Sequence, residues 1–162
     1  MIAVVSWTIR TAVVDDRPRL REIFRLAALS NEGDRAALRE HPEELEWGDE
    51  PIDNGWTRVA VAADGTLVGF HSVYDADDAL ELEDLFVDPA WMRKGAATAL
   101  IDDAVAIARE RNFSRLEVFG NPHALAFYES VGFVTTGQVP TPFGTQAWRM
   151  ELDVSESNRG RR

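Results

Sequence analysis

Residues 88–98 read Asp88-Pro89-Ala90-Trp91-Met92-Arg93-Lys94-Gly95-Ala96-Ala97-Thr98. Two cations and a glycine stand between an apolar run, Leu82-Glu83-Asp84-Leu85-Phe86-Val87, and a segment of helical periodicity. That arrangement suits a phosphate. A helix start presents backbone N–H groups that have no intrahelical partner, together with the positive end of the helix dipole. Gly95 lets the backbone approach a ligand with no Cβ in the way. Arg93 and Lys94 add positive charge. Just upstream, Glu83 and Asp84 are adjacent carboxylates, which a regular strand would aim at opposite faces. Downstream runs Asn121-x-x-Ala124-x-x-Phe127-Tyr128-x-x-x-Gly132-Phe133.

The elements that must hold these residues can be traced along the chain. Residues 7–10 read as a first strand. A helix over 17–29 follows, with Asp15 or Asp16 as its cap and Leu20, Ile23, Phe24 and Ala27 on one face. Asn31-Glu32-Gly33-Asp34 breaks it, and a short helix over 35–40 comes next. Residues 41–56 read as a loop, in which Trp47 and Trp56 either cover the core or line a pocket. Residues 58–73 form a hairpin about a two-residue Asp64-Gly65 turn, with Val61 facing Val68, Val59 facing Phe70 and Arg58 facing His71. In the following strand Leu80 and Leu82 share one parity while Leu85 and Val87 share the other. A β-bulge near Glu83-Asp84 reconciles them, and so does a strand buried on both faces. A helix over 95–111 carries Leu100, Ala104, Ile107 and Ala108 on one stripe. Residues 115–119 read as a strand. Residues 122–131 read as a short helix capped by Asn121 with Pro122 first. Residues 134–136 and 147–152 read as a closing antiparallel pair. A single domain over 1–154 and a polar tail over 155–162 are expected.

Composition narrows the function. The chain has 162 residues, the length of one domain, and 45% hydrophobic residues, enough for a core. It has no cysteine, so disulfides, thiolate metal sites and cysteine nucleophiles are excluded. His41, His71 and His123 show no metal-ligand spacing, and no metal is expected. The net charge of −11 argues against nucleic-acid binding; it is compatible with a cationic substrate, but an acidic surface that keeps the protein soluble is the favoured reading. No apolar run reaches a membrane span, and residues 1–7 lack the basic start of a signal peptide. The expectation is a cytoplasmic protein with no membrane partner. No Gly-x-x-x-x-Gly-Lys-[Ser/Thr] occurs, which rejects a P-loop enzyme.

The 82–133 stretch resembles the GNAT superfamily of acyl-CoA-dependent N-acetyltransferases. The family turn, [QR]-x-x-G-x-[GA], aligns with Met92-Arg93-Lys94-Gly95-Ala96-Ala97, and only Met92 departs from it. The Leu82–Val87 strand with Asp88-Pro89, and the Asn, Ala, Phe-Tyr and Gly-Phe pattern, match in order and spacing. The resemblance implies an α/β (α+β) GNAT fold. Its central mixed, mostly antiparallel sheet has about six or seven strands, is flanked by four helices and is splayed between the fourth and fifth strands. It also favours the bulge near Glu83-Asp84.

The implied reaction transfers an acetyl group from acetyl-CoA, as cosubstrate, to a primary amine of a small molecule. An alkylamine has a pKa of about 10 and must lose a proton before it attacks. By resemblance Glu83 is the candidate base, with Asp84 next to it as the other choice. Tyr128 is the candidate acid for the leaving thiolate and also lies against the cofactor. Backbone groups of Leu85, Phe86 and Val87 would bond the pantetheine arm and the carbonyl oxygen. Arg93, Lys94, Gly95, Ala96, Ala97 and Thr98 would cradle the pyrophosphate, and Asn121 would bond the arm or the phosphates. In the family the acceptor enters from the side of the first helices and the last hairpin, and many members form homodimers. Two other readings keep the fold: acetylation of a protein lysine or N-terminus, and a module that binds acyl-CoA without turnover.

Overall fold

The structure, a computed structural model, describes residues 6–141 and 146–155. Its strands are β1 (Thr8–Thr11), β2 (Thr57–Val61), β3 (Leu67–Asp75), β4 (Leu80–Val87), β5 (Arg115–Gly120), β6 (Val134–Pro140) and β7 (Gln146–Asp153). Its helices are α1 (Arg17–Leu29), α2 (Glu32–Glu40), α3 (Glu50–Asp53), α4 (Ala96–Glu110) and α5 (Leu125–Ser130). The strand order is β1-β2-β3-β4-β5-β7-β6. The sheet is mixed. Its parallel β4–β5 pairing covers Leu80–Leu82 against Leu116–Val118 and stops short of the end of β4, so the sheet is splayed there. Contacts group the described residues into two compact units, 6–72 with 84–101, and 73–83 with 102–141 and 146–155.

In the first unit, β1 and β2 pair antiparallel, and β2 pairs with β3 through Arg58↔His71 and Val59↔Phe70. Successive β2 residues face opposite sides. Val59 joins Leu20, Ile23, Trp47 and Phe70 in one apolar cluster, with Phe24 and Phe86 against it. Ala60 joins Val68, Val87, Ala96 and Leu100 in another, with Leu85 and Trp7 against it. Leu20, Ile23 and Ala27 of α1 are buried at helical spacing, as the periodicity predicts. Each such Leu or Ile contributes roughly 1.5–3 kcal/mol by leaving water.

Several local expectations differ from what the chain does. The hairpin turn is not the two-residue one. Ala62 N–H donates to Thr66 O at 2.8 Å and Gly65 N–H to Ala62 O at 2.9 Å. Only Gly65 of the loop has positive φ, at +90°. The loop is therefore the three-residue Ala63-Asp64-Gly65 form with a glycine bulge, and Val61 faces Leu67 instead of Val68. Asp16 stands before α1, but its carboxylate turns back to the Val13 N–H and to Arg10 and makes no cap bond. The α2 helix starts at Glu32, inside the expected break. The expected 41–56 loop contains α3 and a 3-10 turn over Pro42–Leu45.

In the second unit, β5 lies between β4 and β7, and β7 pairs antiparallel with β6. Leu116, Val118, Met150, Leu152, Tyr128 and Phe133 are buried. The helix expected over 122–131 begins only at Leu125. Ala124 N–H bonds Asn121 O at 3.1 Å, a three-residue step, and the first four-residue step runs from Tyr128 N–H to Ala124 O at 3.0 Å. Asn121 therefore caps a turn, its Oδ1 accepting from Ala124 N–H at 3.0 Å. Of the expected polar tail, residues 156–162 lie outside the described residues.

Candidate active site

The end of β4 is tied down before the basic turn begins. Asp88 N–H donates to Val68 O at 2.8 Å. The Asp88 side chain is buried, and its Oδ1 accepts from Ala90 N–H at 2.9 Å. Its Oδ2 takes the Arg19 Nη2 donor at 2.7 Å, and Arg19 also donates to Leu67 O from Nε at 3.1 Å and from Nη2 at 2.9 Å. One α1 guanidinium thus clamps β3 and the start of the turn. Burial works against the Asp88 carboxylate. The Arg19 bond, the Ala90 N–H and the Arg19 charge outweigh it and hold this carboxyl below its usual range.

After a 3-10 turn over Pro89–Trp91, Arg93 has φ +62° and Gly95 φ +92°, and α4 starts at Ala96. The glycine removes the strain that a side chain would meet at that φ. Ala99 N–H is bonded to Gly95 O at 3.0 Å, so the N–H groups of Ala96, Ala97 and Thr98 precede the first intrahelical bond. Arg93 and Lys94 are exposed beside them, and Lys94 Nζ lies 5.1 Å from the centre of the Trp91 ring. The Trp91 ring in turn meets Trp7 edge-on at 6.1 Å. Met92 is 42% exposed, so the family's missing donor is replaced by a side chain in solvent.

Asp84 occupies a different setting, on the β4 face that carries Phe86. The Trp47 indole Nε1 donates to Asp84 Oδ2 at 3.1 Å, and the Ser72 hydroxyl also bonds the carboxylate. Ser72 Oγ lies 2.8 Å from Thr57 Oγ1, and both residues are fully buried. The Trp47 ring that bonds Asp84 belongs to an aromatic cluster: Trp47–Phe70 and Phe24–Phe86 centres are each 4.9 Å apart, and Phe70–Phe86 5.7 Å. Burial pushes the Asp84 carboxyl above its usual range, against the pull of the Trp47 and Ser72 bonds and the His71 charge. Trp47 also lines a cavity of about 440 Å³ with Arg21, Arg25, Leu45, Glu46 and Asp49.

Glu83 is exposed. On its side of the second unit, Tyr74 bonds Glu81. Burial, that bond and the charges of Glu81, Glu83 and Glu117 push the Tyr74 phenol well up. Tyr128 is buried between Phe127 at 5.5 Å and Phe133 at 5.3 Å. A Cβ at Gly120 would come within 3.3 Å of its ring, so Gly120 makes room for the tyrosine. Asn121 is exposed. Leu85, Phe86 and Val87 lie on the last stretch of β4, in the same unit as Asp84 and the turn. No group of three metal-ligating side chains occurs among the described residues.

Three features were not legible in the sequence: the Arg19–Asp88 clamp, the Trp47–Asp84 bond and the Thr57–Ser72 pair. The Asp-Pro after the strand marks where the clamp is needed, but nothing local points to Arg19.

A strand that ends in a clamped, basic, glycine-bearing turn at a helix start is accompanied by a correspondence in sequence. The pattern of the acetyltransferase (GNAT) family matches residues 18–133. The chain belongs to that family. Streptothricin acetyltransferase of Streptomyces lavendulae is 41% identical over 86 residues, 50% of this chain and 46% of that protein. The chain spans about half the length of the curated relatives it matches. Nourseothricin acetyltransferase has a solved structure that superposes with a TM-score of 0.67 at 25% identity, over 92% of this chain and 99% of that one. The PaiA N-acetyltransferase of Thermoplasma acidophilum, solved with coenzyme A, gives a TM-score of 0.72 at 20% identity over 91% and 99% of the two chains. This GNAT member shares the fold with both.

Proposed function

We propose that this chain is an N-acetyltransferase that moves an acetyl group from acetyl-CoA to a primary amine of a small molecule. The observation that carries the reading is the turn at Arg93–Thr98, which offers N–H groups ahead of the first intrahelical bond, a helix dipole and two exposed cations where a pyrophosphate would lie. Similarity to streptothricin acetyltransferase supports a small-molecule acceptor. In this reading residues 1–154 act as one catalytic domain.

Acetyl-CoA supplies an activated thioester; the chain's residues arrange the transfer. The N–H groups of Ala96, Ala97 and Thr98, with Arg93 and Lys94, hold the pyrophosphate, and Asn121 adds a polar group. Backbone groups of Leu85–Val87 hold the pantetheine arm and stabilise charge on the carbonyl oxygen. A carboxylate takes the proton from the amine as the nitrogen–carbon bond forms. Asp84 fits this role better than Glu83. A base works best when its pKa lies near the working pH, and burial moves Asp84 in that direction. Glu83 is the exposed alternative. As the carbon–sulfur bond breaks, the electron pair leaves with sulfur and the Tyr128 phenol supplies the proton.

A panel of small amines, lysine peptides and N-terminal peptides, read by release of free thiol from acetyl-CoA, tests this. Thiol release with small amines and not with peptides is expected. Turnover of peptides alone would move the acceptor to protein. Binding of acetyl-CoA without turnover of any amine would leave only an acyl-CoA-binding module.

A further inference from the structure

We propose that Trp47, Ser72 and Thr57 are positioning residues for the reaction base: the Trp47 indole N–H and the Ser72 hydroxyl hold the Asp84 carboxylate, and Thr57 orients that hydroxyl. The inference rests on the reading of Asp84 as the base.

The hydrogen inventory gives the direction of the chain. An ionised carboxylate only accepts, and a hydroxyl has one proton to donate. The Ser72 proton goes to Asp84. The 2.8 Å contact between Ser72 Oγ and Thr57 Oγ1 therefore has Thr57 donating. The relay runs Thr57 to Ser72 to Asp84, from β2 through β3 to β4, and ends on the carboxylate. Both hydroxyls are fully buried, so water does not compete for either proton.

The second donor is fixed as firmly. Trp47 lies in a segment without regular structure, yet its backbone O accepts from Arg21 Nε at 3.1 Å. Two residues on, Asp49 pairs with Arg21 and, at 3.0 Å, with Arg17 Nε. Its ring rests on Phe70. An indole held by backbone, flanking ion pairs and ring contact keeps its N–H aimed at one carboxylate oxygen. A carboxylate has about four lone-pair sites, so two donors leave room for an incoming amine. Among the described residues, His71 on β3 is the titratable group whose positive charge, when present, favours the ionised Asp84. Trp47 and Ser72, which bond the carboxylate, and Thr57, which bonds Ser72, are neutral. The two donors favour the ionised form, against the burial that disfavours it.

The full chain is tested as Trp47→Phe, Ser72→Ala, Thr57→Val, Ser72→Ala/Thr57→Val and Asp84→Asn. Two readouts are used: the pH profile of kcat/KM, and the carbon-13 NMR titration of the Asp84 carboxyl, which needs no substrate. Trp47→Phe keeps an aromatic ring against Phe70 and removes the N–H together with part of the indole's bulk. It and Ser72→Ala should each move the Asp84 titration and the rising limb of the profile upward by about one pH unit, the scale of one bond to a charged group. Thr57→Val should give a smaller shift of the same sign that vanishes in the Ser72→Ala background. Unshifted titrations in both Trp47→Phe and Ser72→Ala, with Asp84→Asn inactive, would overturn the positioning role and leave the base in place. An active Asp84→Asn would instead overturn the base assignment itself.

Discussion

At the residue scale, Asp84 is half-buried and Tyr128 buried, both are ionisable, and their environments set opposite expectations. Burial raises the Asp84 carboxyl, so its charge is a cost in the folded state. A folded-state pKa above the unfolded one adds stability below the unfolded value, about 3.9, and that stability is lost as pH rises through the folded value. Asp84→Asn removes the charge and keeps the shape. Its melting temperature should exceed that of wild type at about pH 7.5, and the gap should close as pH falls toward about 4; thermal melts across pH measure it. A variant less stable than wild type at every pH would show that the carboxylate itself is needed for packing. Tyr128 is packed by Phe127, Phe133 and the space at Gly120. Tyr128→Phe should therefore fold normally and lose kcat by on the order of 10- to 100-fold, with little change in the KM for acetyl-CoA. An unchanged kcat would return Tyr128 to a packing role alone.

At the scale of elements, the turn before α4 works only if the strand in front of it is held. Arg19 does that from α1. Arg19→Ala leaves the buried Asp88 carboxylate without its cation. The cost should be about 2 kcal/mol, below that of a fully enclosed pair because Arg19 keeps some solvent contact. The Asp88 pKa is depressed, so the stability this group contributes is present above its unfolded pKa and is lost as pH falls. Arg19→Ala should flatten that acid dependence in melts and raise the KM for acetyl-CoA. Met92 belongs to the same element and lies in solvent. Met92→Arg should leave the melting temperature of the free protein near wild type and lower the acetyl-CoA dissociation constant, most at low salt, by calorimetry. Weaker binding would show that residue 92 does not face the phosphates.

At the scale of the whole molecule, ligand and fold should be linked. Acetyl-CoA at about 100 times its dissociation constant adds roughly 2.7 kcal/mol to stability. A melting shift of roughly 5–10 °C is expected for a chain of this size. No shift, with no heat of binding, would sink acetyl-CoA as the cosubstrate.

The sequence by itself determined what depends on near neighbours. Helix α1 spans 17–29 as its periodicity predicts, because the buried stripe Leu20, Ile23, Ala27 is set by the helical repeat alone. The strand, basic turn and helix from Leu80 to Glu110 were legible for the same reason. Turn chemistry was less so. Asp64-Gly65 fits two loop types, and the register shift between Ala60 and Val61 decides between them. The cap role assigned to Asp16 failed because its carboxylate found other partners nearby, whereas Asn121 makes its cap bond, to the Ala124 N–H of the turn that leads into α5. Only the tertiary structure decided the clamp and the setting of the carboxylate. Arg19 meets Asp88 across 69 residues and Trp47 meets Asp84 across 37. Periodicity shows which face of an element is apolar, but not which polar group another element brings to its edge. That depends on how faces pack, and packing is where Asp84 acquires both its burial and its donors.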